Sequence, residues 1–464
     1  MTSPAGATPS AETAADDQLL ARMERIPFRK SFHGKVIAVL GAGTFFDNFD
    51  VISLSIVLSV VATSLHLGPG STGLLISVGF LGQAVGAIGF GLLSERIGRK
   101  RVFVAAVALL GLMSVAAAFA TSGETLGLLR FLQGIGLGAE VPVATALLNE
   151  FVRGRTRGRV LMLYKLALPL GVIGASVVGA VMLATFPPET SWRAMFLFGG
   201  LPVVLAFVAH RFLPESPRYL LSKGRFAEAQ RIVDAMEGVA STPVPAERAA
   251  RPRAATRFGE IFSARYRRRT MVAWALWFST YFVLVGMLSW LPVLLVRFGG
   301  LSPVTASAVV GALSLFDIVV LLVIASTVDS LGRRFWFRCG YGVAILGAAL
   351  GVLFAVTGVL DTWWAILAAS TTVLAGVKIN GPLIYLYSAE LYPTRIRAWG
   401  TMSASSWRNI AAAAAPALIG QLLEAEIGLI AMYVVFGAVA IAGFIVQARW
   451  ADETKRAALE DLAT

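Results

Sequence analysis

The sequence predicts an all-α integral membrane protein, with twelve transmembrane helices arranged as two pseudo-symmetric six-helix bundles. Three observations carry this expectation. First, of the 464 residues, 57% are hydrophobic and 14% charged. A soluble globular chain carries roughly 25% charged residues, so this one lacks the polar surface to cover itself in water. Second, the apolar residues fall into twelve runs, and at about 20 residues per bilayer crossing the chain has room for all of them with short loops between. Third, landmarks in the first half recur in the second.

The elements follow in order. Residues 1–34 form an N-terminal tail: the first 20, rich in Ala, Thr, Ser, Pro and acids without an apolar period, read as disordered, and Leu19 to Ile26 reads as a short surface helix. The first long apolar run begins only after Lys35 and is far too long for a signal-peptide h-region. An N-terminal bundle over 35–213 holds runs at about 36–64, 72–93, 102–121, 125–149, 160–184 and 194–213. The long connection, 214–269, is polar, with a Pro, Ala and Arg bias over 246–257. A C-terminal bundle over 270–448 holds runs at about 271–296, 304–328, 337–358, 363–389, 399–422 and 428–448, and a tail, 449–464, follows.

The net charge of +13 and pI near 10.3 would suggest a nucleic-acid partner in a soluble protein. Here the arginines fall in alternate loops: Ser94–Arg101, Arg153–Arg159, His210–Arg269, Asp329–Arg338, Arg395–Arg397 and Arg449–Arg456. The opposite loops offer little beyond Arg193 and Arg297. Positive loops stay cytoplasmic, so both termini are expected inside and the basic excess is a topology signal. One cysteine, Cys339, excludes an internal disulfide framework. The composition excludes a soluble enzyme, a nucleic-acid reader and a single-span receptor.

The repeat is specific. Glu95, Gly98 and Arg99 are echoed by Asp329, Gly332 and Arg333, and Pro69 by Pro303, all at an offset of 234 residues. Glu150, followed by Arg153, is echoed by Glu390, followed by Arg395, at an offset of 240. Transporters built from repeated bundles place substrate near the midplane between the halves and rock one against the other.

These residues carry a family resemblance over about 30–450. Gly91-x-x-x-Glu95-Arg96-x-Gly98-Arg99-Lys100 resembles the loop signature of the major facilitator superfamily, and Arg130-x-x-Gln133-Gly134-x-Gly136 its fourth-helix motif. Pro214-Glu215-Ser216-Pro217-Arg218 and Glu390-Leu-Tyr-Pro393-Thr-Arg395-x-Arg397 are similar to signatures of the sugar-porter and organic-ion branches. Asp47-Asn48-Phe49-Asp50 resembles the acidic pair of aromatic-acid and metabolite:proton symporters, with Asn48 where those usually have Gly. Arg408, within Trp407-Arg408-Asn409, resembles the arginine that organic-anion carriers hold in helix eleven. A helix-five Gly-Pro motif common in drug:proton antiporters is replaced here by Leu168-Pro169-Leu170-Gly171, which favours uptake over efflux.

At the cytoplasmic loops, Glu95 or Asp329 flanked by Arg96, Arg99 and Arg333 can make charge-assisted hydrogen bonds that break when the halves separate. Glu150, Arg153, Glu390 and Arg395 would complete such a latch. A topology signal alone is the other reading.

Ionisable groups near the bilayer centre are functional candidates by default. Asp47 lies 12 residues after Lys35, about 18 Å into the helix, and Asp50 stands one turn deeper on the same face. Glu140, Asp317, Lys378 and Arg408 lie at similar depth, counted from Glu150, Asp329, Glu390 and Arg397. His33, His66 and His210 all sit near helix ends, so a proton carrier must be a carboxyl: Asp47, Asp50 or Glu140. Lys165 is close enough to its helix end to snorkel. Arg130 fits both a structural pair and a role in proton transfer. Lys378 and Arg408, with Asp317, Arg130 and the aromatic residues Trp277, Tyr281, Tyr385 and Trp407, suit a carboxylate with an apolar or aromatic body.

The expected function is proton-coupled uptake of a small organic anion by alternating access. A sugar or polyol porter and an efflux pump are the transport alternatives; a transporter-like sensor or an enzyme has less support, since neither a signalling domain nor a nucleophile–base set, phosphate loop or metal cluster is visible. Protons, a small organic substrate and the lipid bilayer are the expected partners. A monomer without cofactor, metal or nucleic acid is expected, and the Arg-rich, Ala-rich composition suits the inner membrane of a GC-rich bacterium.

Overall fold

The computed structural model describes residues 18–23, 25–152, 160–161, 164–239, 258–360, 362–392, 396–424 and 428–454. Six spans build the first half: α1 (Lys35–Ser64), α2 (Pro69–Ile97), α3 (Arg99–Ala117), α4 (Gly123–Phe151), α5 (Ala167–Thr185) and α6 (Pro188–Phe212). Six build the second: α7 (Arg267–Arg297), α8 (Pro303–Leu331), α9 (Arg333–Val356), α10 (Trp363–Glu390), α11 (Arg397–Glu424) and α12 (Gly428–Trp450). Among the described residues, eleven are long and apolar enough to cross a membrane by length and composition. The other, α11, spans 28 residues but carries Arg408, Asn409 and several serines in its middle.

Local rules explain the boundaries. Pro69 and Pro303 open α2 and α8 in the first turn, where a missing N–H costs nothing. Ser122 and Ser302 cap α4 and α8 by accepting from Thr125 N and Thr305 N. Gly98 and Gly332, with φ of 103° and 94°, make the sharp α2–α3 and α8–α9 turns in a region that side chains disfavour.

Apolar side chains face outward along whole helices: Leu81, Val85 and Ile88 on α2; Leu315, Val319 and Leu322 on α8; Val434, Ile441 and Ile445 on α12. Exposed apolar surface on this scale suits lipid contact. Inside each half, α2 packs on α4 and α9 on α10; across the halves, α2 meets α11, α5 meets α8 and α1 meets α7.

The structure adds three features to the sequence reading. The sixth span begins at Pro188, before its main apolar run, and is interrupted between Phe198 and Pro202. The connection expected as a polar loop contains helices Pro217–Ser222 and Phe226–Glu237; the second buries Phe226, Ala229, Val233 and Met236. That helical spacing was visible in the sequence. The segment expected as a surface helix is docked instead: Leu19, Met23 and Ile26 are buried, and Arg22 holds Asp234 and Glu237 at 2.7 and 2.6 Å. Residues 1–17, most of the expected disordered tail, lie outside the described residues, whereas 18–20 are helical.

Among the described residues, the halves come into close backbone contact at the end of the bundle opposite the termini. A Cβ on Gly73 would lie 2.4 Å from the Pro416 carbonyl oxygen, and one on Gly420 would lie 2.6 Å from that of Pro69. At a second contact between the halves, the Ser307 hydroxyl of α8 donates to Ser176 O of α5 at 2.8 Å. Gly73→Leu is therefore expected to hold this end open. Overpacking typically costs about 1–3 kcal/mol, a population shift of roughly five- to hundredfold. In a Cys339→Ser background, a Ser307→Cys probe, fully buried here, should react faster with a polar maleimide once Gly73→Leu is added; an unchanged rate would exclude the glycine seam as the closure.

Candidate functional site

In the N-terminal half, α1 and α4 meet through a buried clamp. Arg130 Nη1 donates to Asp50 Oδ2 at 2.8 Å and to Gln133 Oε1 at 2.7 Å, while Gln133 Nε2 donates to Asp50 Oδ1 at 2.5 Å. All three side chains are buried. Of the two readings of Arg130, the geometry favours the structural pair, and it commits Asp50 to that arginine.

Asp47 stands one turn away and half-buried, with Asn48 Nδ2 donating to it at 3.3 Å. The charges that act on it are Arg408 of the other half and Asp50. Glu140 is fully buried, and the charge that acts on it is Asp47. Thr44 Oγ1 approaches both Glu140 oxygens at 3.2 and 3.4 Å and also meets the Tyr164 hydroxyl. The network is possible because helices come unusually close: a Cβ at Gly43 would lie 2.6 Å from Glu140 Oε1, and one at Gly171 would lie 2.3 Å from Phe45 O.

In the C-terminal half, aromatic rings surround Arg408. Its guanidinium lies 5.9 Å from the Tyr281 ring centre and also reaches Tyr385. Trp277 stacks on Tyr281 at 5.4 Å and meets Tyr385 edge-on at 4.6 Å, while Tyr281 OH donates to Tyr385 OH at 3.3 Å. Trp277 is fixed by donating Nε1–H to Ser388 Oγ at 2.8 Å. Trp407 packs on Trp274 at 5.4 Å, one layer behind. Lys165 Nζ, from the N-terminal half, sits 4.0 Å from the centre of the Tyr385 ring. Sequence reasoning assigned Lys165 to snorkelling and missed this contact, because depth along one helix says nothing about a ring on another.

Lys378, expected as a cation for substrate, is already paired: Nζ donates to Asp317 Oδ2 at 2.7 Å. The structure thus pairs two residues that the sequence placed in one substrate site.

At the termini end, Arg99 meets Glu150 at 3.5 Å, and Arg333 meets Glu390 at 2.7 Å. Each pair lies within one half, tying α3 to α4 and α9 to α10. Glu215 Oε1 accepts from Arg99 N and Lys100 N at 3.0 and 3.1 Å, and the Ser216 hydroxyl donates to Glu150. The repeat reproduces this arrangement. Glu453 accepts from Arg333 N and Arg334 N at 3.0 Å, and Thr454 Oγ1 donates to Glu390 at 2.5 Å. A carboxylate at a helix N-terminus caps its free N–H groups and opposes the helix dipole. Sequence reading missed Glu453-Thr454, although its match to Glu215-Ser216 across the repeat was a usable signal. Glu95 and Arg96 are exposed at the end of α2. Arg153 and Arg395 lie outside the described residues, as does the side chain of Asp329. Among the described residues, no cluster of three or more His, Cys, Asp or Glu could hold a metal.

Twelve spans in two matching halves, with charges and aromatic rings gathered between them at mid-depth, define a membrane transporter. Residues 51–464 match the family described as sugar (and other) transporter, and the chain belongs to this family of the major facilitator superfamily. It is 31% identical over 448 residues to the niacin transporter NiaP of Acinetobacter baylyi, covering 96% of this chain and 99% of the relative. It is 33% identical over 371 residues to the 4-hydroxybenzoate transporter PcaK of Pseudomonas aeruginosa, covering 77% and 78%. A similar solved structure is the inward-open xylose transporter XylE of Escherichia coli, with a TM-score of 0.74 at 17% identity over 93% of this chain and 99% of that one. These relatives are transporters, not enzymes.

Proposed function

We propose that the protein couples proton entry to uptake of a small aromatic carboxylate. The observation that carries this reading is Arg408, set against the Tyr281, Tyr385 and Trp277 cluster and acting by its charge on Asp47 of the other half. A guanidinium binds a carboxylate through paired hydrogen bonds, and the stacked rings offer an apolar face to an aromatic body. The names of relatives agree in chemistry: niacin, 4-hydroxybenzoate and gallate are aromatic carboxylates. The Pro214–Arg218 signature does not argue for a sugar, because Glu215 and Ser216 are used here to cap α3 and hold Glu150.

Asp47 and Glu140 carry the proton in this reading. Asp47 is half-buried and feels the charge of Arg408 from the other half, and Glu140 lies in the Thr44–Tyr164 network. Substrate on Arg408 removes the cation that balances Asp47, so substrate binding and protonation of Asp47 favour each other. Positive loops at the termini end place it in the cytoplasm. In this reading the closed α2–α11 seam faces outward. A bacterial inner-membrane location belongs to this proposal, whereas the Arg99–Glu150 and Arg333–Glu390 pairs, each inside one half, tie helices of that half together rather than latch the halves to each other.

Thermal stabilisation of the purified protein by a panel of acids, sugars and amines tests the substrate class. A ligand at a hundred times its Kd adds about 2.7 kcal/mol; stabilisation by neutral sugars alone would overturn the carboxylate. Arg408→Lys keeps the charge but loses the planar fork. It is expected to weaken benzoate binding about tenfold, or about 1.4 kcal/mol, while leaving benzamide binding within about twofold; equal losses for both would remove the carboxylate contact.

A further inference from the structure

We propose that Asp317 is a specificity-determining residue: by neutralising Lys378 in the wall of the substrate site, it restricts the protein to singly charged carboxylates. The inference rests on the carboxylate reading above. On α8, the exposed Leu315, Phe316, Val319, Leu322 and Val323 form the outer face. At 100° per residue, Asp317 projects from the opposite face, toward the interior. It remains 24% exposed there and Lys378 14%, so the pair is accessible from inside. On α10, Lys378 and Tyr385 lie seven residues apart on the same face, about 10 Å along the helix. Lys378 therefore belongs to the wall that carries the Tyr385 ring, further from the termini end.

Without Asp317, Lys378 would present a second cation beyond the Arg408 cage and would admit a second carboxylate at the far end of an aromatic ring. The ion pair at 2.7 Å cancels that attraction. Asp317 Oδ1 is buried and has no hydrogen-bond partner, so the carboxylate keeps one acceptor unused. Removing Lys378 instead would expose an anion able to hold an ammonium group. The pair therefore predicts opposite changes in selectivity from its two single variants.

The experiment measures binding of benzoate, terephthalate and 4-(aminomethyl)benzoate to purified wild type, Asp317→Asn and Lys378→Gln. Loss of one charged hydrogen-bond partner commonly shifts an equilibrium by roughly tenfold or more. Asp317→Asn is expected to raise the terephthalate-to-benzoate affinity ratio by at least that factor, and Lys378→Gln to raise the 4-(aminomethyl)benzoate-to-benzoate ratio. Asp317→Glu, which keeps the charge pair, should keep wild-type ratios. Either single variant suffices if the other fails to fold; a ratio within about twofold of wild type in a folded variant overturns the proposal, taking a tenfold shift as the expectation. Should wild type bind none of the carboxylates, the carboxylate reading itself fails, an outcome distinct from unchanged ratios in a protein that binds benzoate.

Discussion

Asp47→Asn is expected to abolish uphill accumulation while leaving exchange of substrate across the membrane. One proton entering with one singly charged carboxylate moves no net charge, so the drive is the proton concentration difference, about 1.4 kcal/mol or a tenfold substrate gradient per pH unit. A variant unable to carry the proton should bring internal and external substrate to equal concentration. Counterflow from preloaded proteoliposomes needs no net proton movement and should continue, because Arg408 and the aromatic cluster are intact. Asp47 is the natural choice over Asp50, whose oxygens are both engaged by Arg130 and Gln133. Full accumulation by Asp47→Asn would transfer the coupling role to Glu140.

Arg130→Ala is expected to lower folding stability by about 3–5 kcal/mol, the usual cost of leaving one member of a buried ion pair alone. The uncompensated group would be Asp50, 2% exposed and otherwise hydrogen-bonded only through Gln133 among the contacts described above. Adding Asp50→Ala should recover much of the loss, since the buried charge disappears. The coupling energy from thermal unfolding of wild type, both single variants and the double variant measures the clamp directly. Additive effects would show that the α1–α4 pair does not hold the helices together.

Much of the fold was legible because the bilayer imposes a simple code. Twelve apolar runs became twelve spans, and the offsets linking Gly98 to Gly332 and Glu150 to Glu390 matched equivalent turns and ion pairs. The helices between α6 and α7 were less legible: an amphipathic twelve-residue segment gives a weaker signal than a transmembrane run, and it appears only when Phe226, Ala229, Val233 and Met236 are counted on one face.

The candidate site was legible as a set of residue types at similar depth, but not as a set of partners. Depth along a helix follows from 1.5 Å per residue, whereas rotation and neighbours depend on close packing between helices. Asp47 and Asp50 look equivalent in sequence, yet one feels the charge of Arg408 from the other half and the other is clamped by Arg130. Lys378 and Arg408 likewise look equivalent, yet Asp317 occupies the first while aromatic rings surround the second.

The sequence by itself determined the solvent, the number of spans, the twofold repeat and the inventory of buried charges, because each follows from hydropathy and spacing along one chain. Only the tertiary structure decided which charges neutralise one another. An ion pair depends on a few ångströms between side chains on different helices, and those distances are set by contacts such as Gly43 on Glu140 and Gly171 on α1.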